Sequence, residues 1–230
     1  MNDFLKTLIN NYSVYFKKTY DQEKYPNQDE NSCEFLYNAC MDVNPDYIID
    51  IGTNFGASTL SLAYALTRLG HNLETLTTID YSHIHWETVT PVIQKNILDE
   101  SGIDIKKIVS ICKDFKAIDP LEIIKKDARY LIFFDIHDTL DFSFSSLFLD
   151  SWIPLVPNSF ICMHDFSAVP ETFQLIQGID KSSPRTKARH FSGQLFSGFK
   201  ECETVIDWMN INKIMIESVP NTSIIHFKTR

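Results

Sequence analysis

The 230-residue sequence is short of basic residues, with 21 Lys and Arg against 30 Asp and Glu and a formal net charge of −9. Such a chain repels a long polyanion overall, and no Lys/Arg run with interleaved aromatics makes a local exception, so nucleic acid is not an expected partner. Long apolar runs are missing too. Nothing approaches the roughly 20 residues needed to cross a bilayer, and Met1 to Tyr15 lacks the apolar segment and cleavage site of a signal peptide. These absences predict a soluble, cytoplasmic protein with no membrane partner. The five cysteines (Cys33, Cys40, Cys112, Cys162 and Cys202) include no CxxC pair, which favours reduced structural thiols, with Cys112 and Cys162 inside apolar runs that read as core strands. Internal repeats, low-complexity tracts and linkers are also lacking.

Apolar residues make up 44% of the chain, enough to bury one full core. Residues 1–46 read as an N-terminal helical extension or lid and 47–230 as one α/β domain. The most informative stretch is Tyr47-Ile48-Ile49-Asp50-Ile51-Gly52-Thr53-Asn54-Phe55-Gly56-Ala57-Ser58-Thr59. It reads as a strand too apolar to alternate, ending at an acid, turning on glycines and opening a helix. Leu62, Leu66 and Leu69 continue that helix to Gly70. Glycines at such a turn let a ligand approach the main chain, and the backbone N–H groups there are expected to be free to meet it.

Further strands are predicted at Leu76 to Asp80, Lys107 to Cys112, Tyr130 to Phe134 and Phe160 to Met163, several ending in an acid. Helices are predicted at Val89 to Leu98, from the cap Asp119-Pro120 through Ile124, and over Leu147 to Trp152. Strands and helices in alternation imply a parallel, doubly wound, Rossmann-like sheet. Lys213 to Ser218 and Ser223 to Lys228 are two strand-like runs joined by only Val219-Pro220-Asn221-Thr222, which predicts a hairpin with one antiparallel strand. The polar segment Gln177 to Gly198 reads as a loop.

Ligands of open parallel sheets gather at the carboxyl ends of the strands. That rule collects Asp50 with the Gly52 to Ser58 turn, Asp80 with Tyr81, Asp114 with Phe115, Asp135 with His137 and Asp138, and His164 with Asp165. Asp80 follows the glycine turn at roughly the twenty-residue spacing at which an acid accepts bonds from both hydroxyls of a ribose, so an adenosine cofactor is expected. His137, two residues after Asp135, is the expected general base, because an imidazole can accept a hydroxyl proton near neutral pH. His164 is the second choice. His83, His85 and Trp86 read as a surface turn, His190 lies in the polar loop, and Tyr12, Tyr15, Phe16 and Tyr20 fall at near-helical spacing.

From Tyr47 to Asp165, and again in the final hairpin, the chain resembles the class I S-adenosylmethionine-dependent methyltransferases. Within them it is similar to small-molecule O-methyltransferases of the catechol and macrolide-sugar type. Asp50-Ile51-Gly52-Thr53-Asn54-Phe55-Gly56-Ala57-Ser58 looks like their motif of an acid, Gly-Thr, two variable residues, glycine, one variable residue and serine, although a third glycine is lacking. The resemblance implies a seven-stranded, mostly parallel sheet with a C-terminal antiparallel strand. It implies that Asp50 and the Gly52-Thr53 turn hold the methionine part of the cofactor, that Ser58 meets its carboxylate, that Asp80 binds the ribose, and that Asp114 and Phe115 flank adenine, with Asn54, Gly56 and Tyr81 among the cofactor residues. Asp135 is counted with the cofactor residues as well. In metal-dependent members, aspartates at the ends of strands four and five hold a divalent ion such as magnesium that anchors and acidifies the acceptor hydroxyl. The counterparts are Asp135, His164 and Asp165. At His164 those enzymes carry aspartate, and a nitrogen ligand also suits manganese, iron or zinc.

The expected function is therefore O-methylation of a hydroxyl on a small molecule or sugar, with or without metal assistance. An enzyme like the cephalosporin-hydroxylase-related proteins on the same scaffold, a nicotinamide-dependent reductase and a noncatalytic cofactor-binding module stay open beside it. A homo-oligomer is compatible with all of them.

Overall fold

The structure is a computed structural model that describes residues 3–8, 30–54, 56–81, 101–136, 138, 141–164, 195–219 and 224–230. Its strands are β1 (Tyr47–Ile51), β2 (Leu76–Asp80), β3 (Val109–Cys112), β4 (Tyr130–Phe134), β5 (Phe160–Met163), β6 (Glu217–Ser218) and β7 (Ile225–Lys228). They follow the order β3-β2-β1-β4-β5-β7-β6. Against the expected seven full strands, the described residues make six of four or five residues and one two-residue edge segment, β6. The helices are α1 (3–8), α2 (Glu30–Val43), α3 (Ala57–Leu69), α4 (Pro120–Ile123), α5 (Phe144–Leu147) and α6 (Leu195–Asn212). None of the described helices is long and apolar enough to cross a membrane. The chain divides into two compact units, Met1–Phe115 with Tyr130–Ile132, and Lys116–Arg129 with Phe133–Arg230.

In the first unit β1, β2 and β3 pair in parallel, with Ile51 opposite Ile79 and Asp80 opposite Cys112. Ile48, Asp50 and Ile51 are fully buried, as the unbroken apolar run of a two-sided strand requires. The helix α3 buries Leu60, Leu62, Ala63 and Leu66, and it ends where Gly70, at φ 76°, donates its N–H to the carbonyl of Thr67. A left-handed residue at that place suits glycine. Leu5 and Leu8 of α1 and Leu36 and Cys40 of α2 are at most 1% exposed. Tyr64 of α3 stacks on Phe4 at 3.9 Å and on Tyr37 at 5.5 Å, so the described N-terminal helices pack into this unit's core.

Two expectations for the third strand change. The strand begins at Val109, two residues late, because Asp104 accepts from the N–H of Lys106 and caps a short 3₁₀ turn over Ile105–Lys107. Cys112, expected in the core, is exposed, because β3 lies at the end of the strand order and most of its residues face outward.

In the second unit α5, capped by Ser143, runs on as a π-helical turn over Phe148–Trp152 that buries Phe148, Leu149 and Trp152. β5 is buried throughout and pairs antiparallel with β7, Ile161 opposite Phe227. Thr229 fastens the end of β7, accepting from the Ser159 N–H at 2.8 Å and donating to the Val156 carbonyl at 2.5 Å. The expected loop over 177–198 is a helix at its last four residues, and the expected strand over 213–218 is shortened. Residues 177–194 lie outside the described residues, Leu195 opens the 18-residue α6, and Lys213, at φ 54°, closes it. One apolar stripe, Val205, Ile206 and Met209, is buried, and that 1-2-5 spacing is the helical signal in the sequence. Only Glu217–Ser218 remains as strand.

Candidate functional site

In the first unit, the turn after β1 holds three left-handed residues, Gly52 at φ 92°, Asn54 at 45° and Gly56 at 85°. Glycine takes this conformation freely, and asparagine is among the side chains that tolerate it best. The β1–β2 register brings the turn against the end of β2. The N–H groups of Gly52 and Thr53 both donate to the Ile79 carbonyl, at 2.8 and 3.4 Å, and Gly56 donates to the Thr53 carbonyl at 2.8 Å. Asn54 donates its N–H to Asp80 Oδ2 at 2.8 Å. The Thr53 hydroxyl is hydrogen-bonded to that of Thr78. The expectation of free amides is thus corrected, since all four already have acceptors in the protein.

Asp50 is fully buried beneath this turn. Its Oδ2 accepts from Ser58 Oγ at 3.0 Å and from the Thr59 hydroxyl, the kind of partnership a buried carboxylate requires. Both donors stand in the first turn of α3, so the carboxylate is tied to the start of that helix through two side-chain hydroxyls. Thr59 and Thr78 were not singled out from the sequence, and the only signal for either is a hydroxyl beside a named residue. Of the remaining expected residues, Asp80 is half-buried, Tyr81 is 82% exposed beside it, and Asp114 is exposed. Cys112 Sγ points to the Tyr81 carbonyl at 3.5 Å. Phe115 is only 2% exposed, a core residue of the short turn Phe115–Ala117.

In the second unit, Asp135 follows β4 and His164 follows β5. The His164 N–H donates to the Phe134 carbonyl at 2.9 Å, and its Nδ1 lies 3.0 Å from Asp135 Oδ1. Their side chains are 5% and 26% exposed, and the Phe133 ring meets the imidazole edge-on at 5.8 Å. An ionised carboxylate can only accept, so this bond assigns a proton to Nδ1 and, in the neutral ring, the lone pair to Nε2. Asp138, three residues after Asp135, is buried and joins Ser143 at the start of α5, accepting from Ser143 Oγ at 2.6 Å and from the Ser145 N–H at 2.8 Å. His137 and Asp165 lie outside the described residues, as do His83, His85, Trp86, His190 and the aromatics Tyr12 to Tyr20. Among the described residues no group of three or more His, Cys, Asp or Glu could hold a metal ion. Asp135 and His164 face each other through a proton, so these two alone do not fit a divalent ion, which takes a larger set of donors.

No family model and no curated protein matches the sequence. Solved structures do match. The methyltransferase PaMTH1 of Podospora anserina, solved with SAH bound, aligns over 100% of this chain and 89% of its own at 12% identity and a TM-score of 0.61. The O-methyltransferase TomG of Streptomyces achromogenes, involved in tomaymycin synthesis and solved with SAM, aligns over 100% and 91% at 12% identity and 0.58. An O-methyltransferase of Bacillus cereus in complex with SAH aligns over 97% and 91% at 13% identity and 0.60. The chain has the class I methyltransferase fold.

In a methyltransferase fold, the two clusters have distinct chemical capacities. Around the glycine turn, two carboxylates stand beside amides that already have protein acceptors. At the ends of β4 and β5, an oriented imidazole can take up a proton. Asp80 is the last residue of β2 and Asp135 follows β4, whereas Asp50 lies within β1, opposite Thr78.

Proposed function

We propose that the protein is an S-adenosylmethionine-dependent methyltransferase acting on a hydroxyl of a small molecule or sugar. The observation that carries this reading is the chemistry of the turn after β1. A nicotinamide dinucleotide sets its pyrophosphate on free loop amides and a helix N-terminus. Here the Gly52, Thr53, Asn54 and Gly56 amides have protein acceptors, and Asp50 is already bonded to the first turn of α3. Carboxylates at both places repel a diphosphate and favour a nucleoside that carries a sulfonium and an ammonium. Asp80 accepts from the ribose hydroxyls, Tyr81 and Asp114 border the base, and Ser58 and Asp50 stand on the amino-acid side.

S-adenosylmethionine, when bound, supplies an electrophilic methyl group. His164 accepts the acceptor's hydroxyl proton at Nε2, and Asp135 holds the ring in the required tautomer and stabilises the imidazolium that forms. No step is assigned to a metal, since the described donors do not make a site for one.

Calorimetric titration with S-adenosylmethionine, its demethylated product and NADH tests the assignment. Binding of the first two and no heat from NADH is expected; NADH binding without a response to either sulfur cofactor overturns it.

A further inference from the structure

The clasp between Asp80 and the glycine turn points to a role for this acid that precedes any ligand. We infer that Asp80 is a positioning residue: its carboxylate holds the Asn54 N–H and thereby keeps the turn in its ligand-ready shape in the empty protein. The inference rests on the proposed cofactor reading, since it adds a second duty to the residue assigned to the ribose. Three observations carry it. Asn54 sits at φ 45°, a conformation that a non-glycine residue keeps only when its surroundings hold it. Its N–H has a 2.8 Å bond to Asp80 Oδ2, whereas the neighbouring amides of Gly52 and Thr53 bond to the main-chain carbonyl of Ile79. The turn's position on β2 is therefore fixed at its start by main chain and by the Thr53–Thr78 hydroxyl bond, and at Asn54 by the Asp80 carboxylate. A carboxylate offers about four acceptor sites, so one bond to Asn54 is compatible with accepting from a diol as well. The arrangement places part of the ordering cost of binding in the folding of the protein, which is what preorganisation means for affinity.

The test compares Asp80→Asn, which keeps an acceptor oxygen in place, with Asp80→Ala, which removes it. Hydrogen exchange of the Asn54 amide is followed in the full-length protein without ligand, with the Gly52 and Thr53 amides as internal references. In Asp80→Ala the Asn54 amide should exchange about tenfold faster or more while the references hold, and in Asp80→Asn it should stay close to wild type. Unchanged Asn54 exchange in Asp80→Ala overturns the inference. If Asp80→Ala is destabilised so that all three amides speed up together, Asp80→Asn decides, and loss of Asn54 protection there overturns it. Titration with S-adenosylhomocysteine provides the second readout: Asp80→Ala should bind more weakly than Asp80→Asn, and equal losses leave Asp80 with a ribose contact alone. Should the wild type fail to bind that ligand, the cofactor reading falls, while the exchange result still reports on the clasp.

Discussion

The two strand-end clusters use the same residue type for opposite purposes. In the first unit the carboxylates of Asp50 and Asp80 are bonded to hydroxyls and a backbone amide, so they shape a turn. In the second unit Asp135 is bonded to an imidazole, a group that can change its protonation state. In the function proposed above, the acids that hold main chain and hydroxyls shape the cofactor's side, and the acid that holds an imidazole serves the proton transfer. The contrast teaches that an aspartate at a strand tip is informative only together with what it accepts from.

The sharpest way to break the contrast is substitution at the imidazole. His164→Ala should lower turnover on an identified acceptor by about 10²–10⁴-fold while leaving cofactor affinity within about twofold, measured by steady-state kinetics beside calorimetry. A matched loss of affinity would merge the two clusters into one binding site.

Next in size is Asp50→Ala, which removes the acceptor of the half-buried Ser58 hydroxyl and of the buried Thr59 hydroxyl. It should cost about 2–4 kcal/mol of stability, read from urea unfolding, and a cost below about 1 kcal/mol would deny Asp50 its structural part.

Thiol reactivity sharpens the picture of the first unit's edge. Burial pushes the Cys40 thiol up to about 12 and raises that of Cys162 as well, and Cys33 is buried. Among these and the exposed Cys112, early labelling by iodoacetamide should fall on Cys112, as mapped by mass spectrometry. Prompt modification of Cys40 would show a core more open than described.

The smallest effect concerns a second imidazole of the second unit, His226, which stacks on Phe160 at 5.0 Å. Burial lowers its pKa first of all, Glu217 opposes that, and Lys228 adds to it. Because the folded value lies below the unfolded one of about 6.5, the unfolded chain binds more protons in that window, and stability rises with pH through it. Lowering the pH below about 6.5 should therefore destabilise the wild type more than His226→Gln, compared by urea midpoints. No such difference would mean that this imidazole titrates as it does in the unfolded chain.

Much of the fold was legible because the informative segments are buried on both sides. β1, β2, β4 and β5 appear at their expected residues, and Gly56 and Gly70 bound α3 as anticipated, since an apolar run and a left-handed glycine leave few alternatives. α6 was hidden because its first four residues, Leu195 to Gly198, end in a Ser-Gly pair that reads as part of the preceding loop. The apolar run Ile214, Met215, Ile216 after it reads as strand, although only Glu217–Ser218 forms one. At the site, the residue list followed from strand ends, but bonding did not. That the turn's amides are occupied, that Asp50 is tied to Ser58 and Thr59, and that His164 meets Asp135 all depend on which groups are brought together across 8 to 29 residues of chain, and a spacing rule carries no acceptor assignments.

The stack of Phe4, Tyr64 and Tyr37 gives the first unit an intrinsic optical signal. Rings held at fixed angles in a chiral core produce near-ultraviolet circular dichroism that vanishes when packing loosens. Because Tyr64 belongs to α3, whose first turn carries Ser58, the light absorbed by these rings is a label-free gauge of how firmly the outer helices grip the helix that follows the glycine turn.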